Sequence, residues 1–211
     1  RKTNMSTKKI IDLYEKYVMP TYITTPLAIA RGKGAYVWDA EGKKYLDFFP
    51  GWAVSGIGHC HKEVISAIKN QAGKLIHVSN NYFHEQQGTL AKEIVNNSFA
   101  GKVFFCNSGA EANEAAIKLA RKFGNPERNE VITMERSFHG RTLATVTATG
   151  QKKFQKGFDP LPTGFVTVPF NDIRALERAI SAKTVAVMLE PIQGEGGVCV
   201  ADAQYLSAVR K

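Results

Sequence analysis

Cysteine is scarce in this chain of 211 residues: Cys60, Cys106 and Cys199 are odd in number and far apart. That usage fits reduced thiols and excludes the paired framework of a small disulfide-bonded domain. Long apolar runs are missing too, none approaching the roughly 20 residues of a membrane-spanning helix. No apolar stretch of signal-peptide type follows the basic start RKTNMSTKKI, and Met5 reads as a start with RKTN upstream. These absences lead us to expect a globular, cytoplasmic protein with no membrane partner.

Acidic residues are in short supply, 19 against 28 Lys and Arg, for a formal net charge of +9. A basic surplus draws phosphate backbones where it is gathered on one face. Here lysines are scattered singly, and only KKFQK at 152–156 groups them around an aromatic ring. No nucleic-acid partner is expected, and anionic small molecules suit this charge better. Neither internal repeats nor low-complexity linkers are present, and the nucleotide loops G-x-x-x-x-G-K-[ST] and G-x-G-x-x-G are absent. GHCH at 58–61 sets two histidines around a cysteine, yet His77 and His84 supply no second ligand pair at zinc spacing. No metal is expected there; the segment reads as a turn into a helix that begins near Lys62.

What is present suits a packed core: 44% of residues are hydrophobic and 22% charged, enough for one sizeable core or one and a half domains. Lys8 to Val18 carries Ile10, Ile11, Leu13, Tyr14, Tyr17 and Val18 at helical spacing, with Pro20 as its stop. LAIARGKGAYVWDAEGKKYLDF then alternates β-prone runs with turns at Gly32, Gly34 and Gly42, predicting a small antiparallel meander. KEVISAIKNQAGKL and EQQGTLAKEIVNNSF read as helices. From residue 102 the pattern becomes strand KVFFC, helix 109–123, strand EVITME, a Gly-Arg segment, strand GFVTVP, helix NDIRALERAI, strand TVAVMLEP and helix AQYLSAVRK. Strands alternating with helices predict βαβ units on a mainly parallel sheet, whose ligands sit at the carboxyl ends of strands. The composition boundary lies near residue 100.

Three loops carry the chemistry. Ser108 and Glu111 form the capping pattern S-x-x-E ahead of an apolar face of Ala112, Ala116, Leu119 and Phe123, with Gly124 as the stop. This is either a well-capped helix and nothing more, or a helix whose Gly109 and Ala110 amides and positive dipole end hold a phosphate. SFHGRT at 137–142 offers Arg141 as a bidentate carboxylate clamp and Phe138 as a ring to stack on a flat heteroaromatic; a core Phe and a surface Arg fit it equally. EPIQGEGG at 190–197 places Glu190 and Glu195 on a Gly-rich loop at a strand end. Paired carboxylates there suit acid/base work, and a turn with solvated charges suits the same residues.

NSGAEANEAAIKLAR, SFHGRTLATVTATGQ, PFND at 169–172 and EPIQGEGG, with RGKGAYVWDAEGKKYLDF and GHCHKEV before them, resemble the class III aminotransferases, pyridoxal-phosphate enzymes of fold type I. The nearest look is to acetylornithine and ornithine aminotransferases, from about residue 12 to 211. The resemblance implies an α/β fold: a three-layer αβα, mainly parallel sheet over 101–211, the first part of the large domain. An N-terminal arm and small-domain segment with the β-meander would occupy 1–100.

It further implies that Ser108, Gly109 and Ala110 cradle the phosphate of pyridoxal 5′-phosphate, with Phe138 against the pyridine ring and His139 beside it. Arg141 would bind the substrate α-carboxylate, with Glu190 and Glu195 also at the substrate. Glu195 looks like the family's switch, pairing with a second arginine for an amine substrate and releasing it for glutamate. Tyr22 and Trp52 would border the substrate. Ala110 departs from the Thr of many relatives, removing a hydroxyl while keeping the amide. The implied reaction moves an amino group from an ornithine-type ω-amine to 2-oxoglutarate, as in arginine biosynthesis, in a cytoplasmic homodimer whose other partners are amino and 2-oxo acids. The family's Asp-Glu-x-Gln run and Schiff-base lysine have no counterpart in these residues, so the expectation is an N-terminal half without catalytic lysine, inactive alone. Succinylornithine or γ-aminobutyrate transamination, or a non-catalytic module of the same fold, are the alternatives.

Overall fold

The computed structural model describes residues 5–49 and 51–211. The chain forms two compact units, one up to Gly88 and one from Thr89. No helix among the described residues is long and apolar enough to cross a membrane.

The first unit begins with α1 (Thr7–Tyr17), whose N-cap Ser6 accepts a hydrogen bond from the Lys9 amide. Thr7 donates its amide (2.8 Å) and hydroxyl (2.6 Å) to Glu41, tying the helix start to the meander. That meander is β1 (Ile29–Lys33), β2 (Tyr36–Asp39) and β3 (Lys44–Leu46), antiparallel in the order β1-β2-β3. Asp39 is buried under the β2–β3 turn, where it accepts from the Lys43 amide at 2.7 Å and the Tyr45 hydroxyl at 2.8 Å. In GHCH, Cys60 lies in a turn, His59 bridges to Gly34, and the His59 ring bonds Asp47 at 2.6 Å. The His59 ring lies over Gly32, where an added Cβ would come within 2.6 Å of it. Then follow α2 (Lys62–Ala72) and α3 (Glu85–Asn96), within which the division between units falls.

The second unit continues with α4 (Gly109–Gly124), β4 (Glu130–Met134), α5 (Leu143–Ala148), α6 (Lys152–Gln155) and β5 (Phe165–Val168). It ends with α7 (Ile173–Ala179), β6 (Thr184–Val187), β7 (Ile192–Gln193), β8 (Cys199–Val200) and α8 (Ala203–Arg210). β4 is the central strand of a parallel sheet ordered β5-β4-β6. Its alternating side chains separate two faces. Ile132 and Met134 join Val168, Leu176, Ala201 and Tyr205 in the core under α7 and α8, each large side chain contributing about 2 kcal/mol on leaving water. α4 packs on β6 and α5 on β5, closing a three-layer αβα unit.

Local differences from the sequence reading have physical causes. KVFFC is not a strand: β4 is flanked on both sides by β5 and β6, and the run from Val103 pairs with no strand among the described residues. An extended apolar run becomes a strand only where a neighbouring backbone takes its hydrogen bonds. α4 is rotated from the expected face, burying Ile117 and Gly124 while Leu119 and Phe123 stay exposed. Gly124 also has a packing role, because a Cβ there would meet Val185 Cγ2 at 2.7 Å, while the positive φ (58°) falls on Asn125. The β7–β8 hairpin and short α5 and α6 form within stretches read as loops.

Candidate active site

α4 opens at a true N-cap. Ser108 is extended (φ −152°, ψ 162°), and its Oγ accepts from the Glu111 amide at 3.2 Å. Glu111 reaches back, but one residue before the cap: its carboxylate takes the Asn107 amide at 2.5 Å and the Asn107 side-chain amide at 3.2 Å. These bonds, the backbone one foremost, hold the Glu111 carboxyl below the usual carboxylate range. Among the described residues no acceptor takes the amides of Gly109 and Ala110. A Cβ on Gly109 would meet nothing within 4 Å, so the space beside these donors is open.

The loop after β4 packs against this helix start. Gly140 (φ +138°) has room for no side chain, since a Cβ would lie 2.5 Å from Thr145 Oγ1 and 2.9 Å from Ala110 Cβ. Asn113 of α4 donates to the His139 carbonyl at 2.7 Å, while the His139 amide donates to Thr149 Oγ1 at 2.9 Å. The Thr142 hydroxyl donates to Glu114 of α4 and lies 2.7 Å from Thr145 Oγ1. His139 is buried, its Nε2 finds no partner among the described residues, and burial pushes its pKa down to about 4.

Phe138 meets Phe154 edge-on at 5.7 Å. The Arg141 guanidinium lies 4.4 Å from the Phe154 ring centroid and 5.7 Å from that of Phe138. Among the described residues Arg141 has no ion-pair partner, so its five donors remain available to an incoming carboxylate.

The loop after β6 completes the cluster. The Phe138 amide donates to Glu190 Oε2 at 2.9 Å. Burial raises the Glu190 carboxyl, the Phe138 bond opposes that, and the charge of Glu195 adds to it. Gln193, fully buried, donates to the Glu135 carbonyl at 2.9 Å, and Arg136 donates to the Gly196 carbonyl. Thus Ser108, Gly109, Ala110, Phe138, His139, Arg141 and Glu190 belong to one connected set of loops, with exposed Glu195 on the last of them.

Tyr22 and Trp52 belong to the first unit. Tyr22 is exposed and lines an open cavity of about 500 Å³ with Ile10, Tyr14 and Val18 of the α1 segment. Trp52 is exposed, has φ +58° and meets Phe49 edge-on at 5.5 Å. Sequence reading missed Asn113, Glu114, Thr149 and Gln193. For the first two a signal existed, since they follow Ala110 by three and four residues and so share its side of the helix.

The sequence profile of the family Aminotransferase class-III matches residues 17–211. The acetylornithine aminotransferase of Methanocaldococcus jannaschii is 54% identical over 210 residues, covering 98% of this chain and 53% of that protein. The crystal structure of the ornithine aminotransferase from Toxoplasma gondii ME49 is similar at a TM-score of 0.92 and 32% identity, over 99% of this chain and 51% of that one. A second structure of a Toxoplasma gondii ornithine aminotransferase, with partial occupancy of PLP at its active site, matches at 0.92 and 31% identity over the same shares, 99% and 51%. The chain spans about half the length of the curated relatives it matches.

Proposed function

This chain belongs to the class-III aminotransferase family, and on that premise we propose that it is part of an acetylornithine- or ornithine-type aminotransferase using pyridoxal 5′-phosphate. The observation that carries this is the joining of three loops: the first turn of α4, the Arg141 loop after β4 and the Glu190 loop after β6. They meet at the carboxyl ends of adjacent parallel strands, where ligands of such sheets bind.

The residues present fit the cofactor. Two amides with no acceptor among the described residues, the open space at Gly109 and the Ser108 hydroxyl, whose hydrogen is not needed for the cap, make an anion seat at the positive end of a 16-residue helix. Phe138, fixed by Phe154 and by Glu190, supplies a ring for the pyridine, with neutral His139 next to it in the chain. When bound, the cofactor supplies an electron sink for the carbon that gives up its proton.

This chain's own residues bind and orient. Arg141 holds the α-carboxylate bidentately, with no ion pair among the described residues to break first. Glu190, braced to Phe138 by one oxygen, borders the substrate, and exposed Glu195 acts as the switch between amine and carboxylate side chains. We place the lysine that bonds the cofactor's aldehyde outside these 211 residues, and the full-length protein in the cytoplasm as a homodimer acting on an ornithine-type ω-amine and 2-oxoglutarate.

The test is transamination of acetylornithine and ornithine with 2-oxoglutarate and added pyridoxal 5′-phosphate. The full-length protein turns over in this scheme and the 211-residue chain does not. Turnover by the chain alone contradicts the placement of the lysine, and an inactive full-length protein contradicts the assigned reaction.

A further inference from the structure

Arg141 sits in a short loop gripped by α4 at points on either side of it. The Asn113 side chain donates to the His139 carbonyl at 2.7 Å, and the Thr142 hydroxyl donates to the Glu114 carboxylate. Between those bonds Gly140 lies against Ala110, too close for any side chain. Ala110, Asn113 and Glu114 are spaced three and four residues apart, so one side of one helix makes all three contacts. The same helix begins at Gly109, with its open space and free amides.

We propose that Asn113 and Glu114 are positioning residues that register the Arg141 guanidinium against the anion seat at the start of α4. This rests on the functional reading above, which gives that seat to the phosphate and Arg141 to the substrate carboxylate. The two anions belong to different molecules, so the distance between their binding groups must be set by the protein. α4 sets it: a rigid helix carries the amides at its first turn and the two loop anchors one turn later. Helix rigidity fixes the anchors relative to the amides, and the anchors fix residues 139 and 142. Neither side chain touches either anion in this scheme. Their loss therefore weakens carboxylate binding while sparing phosphate binding.

The decisive measurement is calorimetric titration of the full-length protein, stripped of cofactor, with two probes. Pyridoxine 5′-phosphate, which has no aldehyde to react with lysines, reads the phosphate seat. 2-Oxoglutarate, added to the protein saturated with that first probe, reads Arg141. Asn113→Ala and Thr142→Val should weaken 2-oxoglutarate roughly 5- to 30-fold, the range expected when one hydrogen bond holding a group in place is lost. Pyridoxine 5′-phosphate affinity should stay within about twofold, because the amides of Gly109 and Ala110 are untouched. Thr142→Ser and Glu114→Gln keep a hydroxyl donor and an oxygen acceptor and should restore most of the affinity. Thr142 is exposed but also caps α5 through Thr145, so Thr142→Val is read beside Asn113→Ala, which leaves that cap intact.

Equal weakening of both probes, or no change in either, overturns the proposal. Arg141→Ala separates the two levels. If it weakens 2-oxoglutarate while Asn113→Ala and Thr142→Val do not, the positioning role alone is wrong. If Arg141→Ala leaves 2-oxoglutarate affinity unchanged, or the unaltered protein binds neither probe, the functional reading fails and the positioning role falls with it.

Discussion

The Phe138 amide and the Glu190 carboxylate, 52 residues apart in sequence, meet at 2.9 Å and join the loops that follow two neighbouring parallel strands. A buried or half-buried amide needs such an acceptor. The bond fixes the backbone of Phe138, whose ring is already held edge-on by Phe154.

Replacing Glu190 separates its hydrogen-bonding role from its charge. Glu190→Gln keeps an oxygen for the Phe138 amide and relieves a carboxylate that burial disfavours, so its stability should lie within about 1 kcal/mol of the unaltered chain. Glu190→Leu leaves the amide unpaired and should cost about 1–2 kcal/mol. Urea unfolding of the two variants checks the order; a Leu variant as stable as the Gln variant would show that the bond does not hold the loop.

His139 gives stability a pH dependence of known sign. Its folded pKa of about 4 lies below its ordinary value of 6.5. Between those values the unfolded chain takes up a proton that the folded chain refuses. The contribution is complete above 6.5 and is lost as the pH falls toward 4, reaching about 3 kcal/mol at most. Glu190 has the opposite sign, because burial raises its carboxyl: its protonation favours the folded state, and that contribution shrinks as the pH rises above the ordinary carboxylate value. Thermal unfolding followed from neutral pH to about pH 4 should show a flatter acid limb for His139→Gln than for the unaltered chain. Identical limbs would contradict a buried, neutral His139.

Two glycines should respond in opposite ways. Gly109 begins a helix and has open space around it, so Gly109→Ala should be neutral or stabilising by up to about 1 kcal/mol. On the proposed reading the new methyl crowds the anion seat, and pyridoxine 5′-phosphate should bind roughly 10-fold more weakly, the equivalent of one charge-assisted hydrogen bond. Gly140→Ala forces a Cβ into Thr145 and Ala110 at φ +138° and should cost about 2 kcal/mol or more. A Gly109→Ala chain that gains stability and keeps full affinity would place the anion elsewhere.

These contrasts show what the sequence could convey. The cap of α4 was legible because Ser108 and Glu111 are three residues apart and the bond between them is local. The strands β4, β5 and β6 were legible because EVITM, FVTV and TVAV are short β-branched runs between helices. The strand expected at KVFFC was not, because pairing depends on a distant backbone. The buried face of α4 was misjudged for a similar reason. Ala112, Ala116, Leu119 and Phe123 make one apolar stripe and Ile117, Ala120 and Gly124 another, and packing against Val185 of β6 decides between them. Arg141 and Phe138 stood out by residue type. The spacing of Asn113 and Glu114 from Ala110 was legible, but their partners, residues 139 and 142, are set by the fold.

The central claim is that the start of α4 holds a cofactor phosphate. Calorimetric titration of the full-length protein, stripped of cofactor, with pyridoxine 5′-phosphate, against pyridoxine without the phosphate, tests it most directly. The expected result is at least ~10-fold tighter binding of the phosphorylated compound, since a helix N-terminus with free amides favours the anion. Ser108→Ala should remove much of that preference. Equal affinity for the two compounds, or a preference unaffected by Ser108→Ala and Gly109→Ala, would contradict the account.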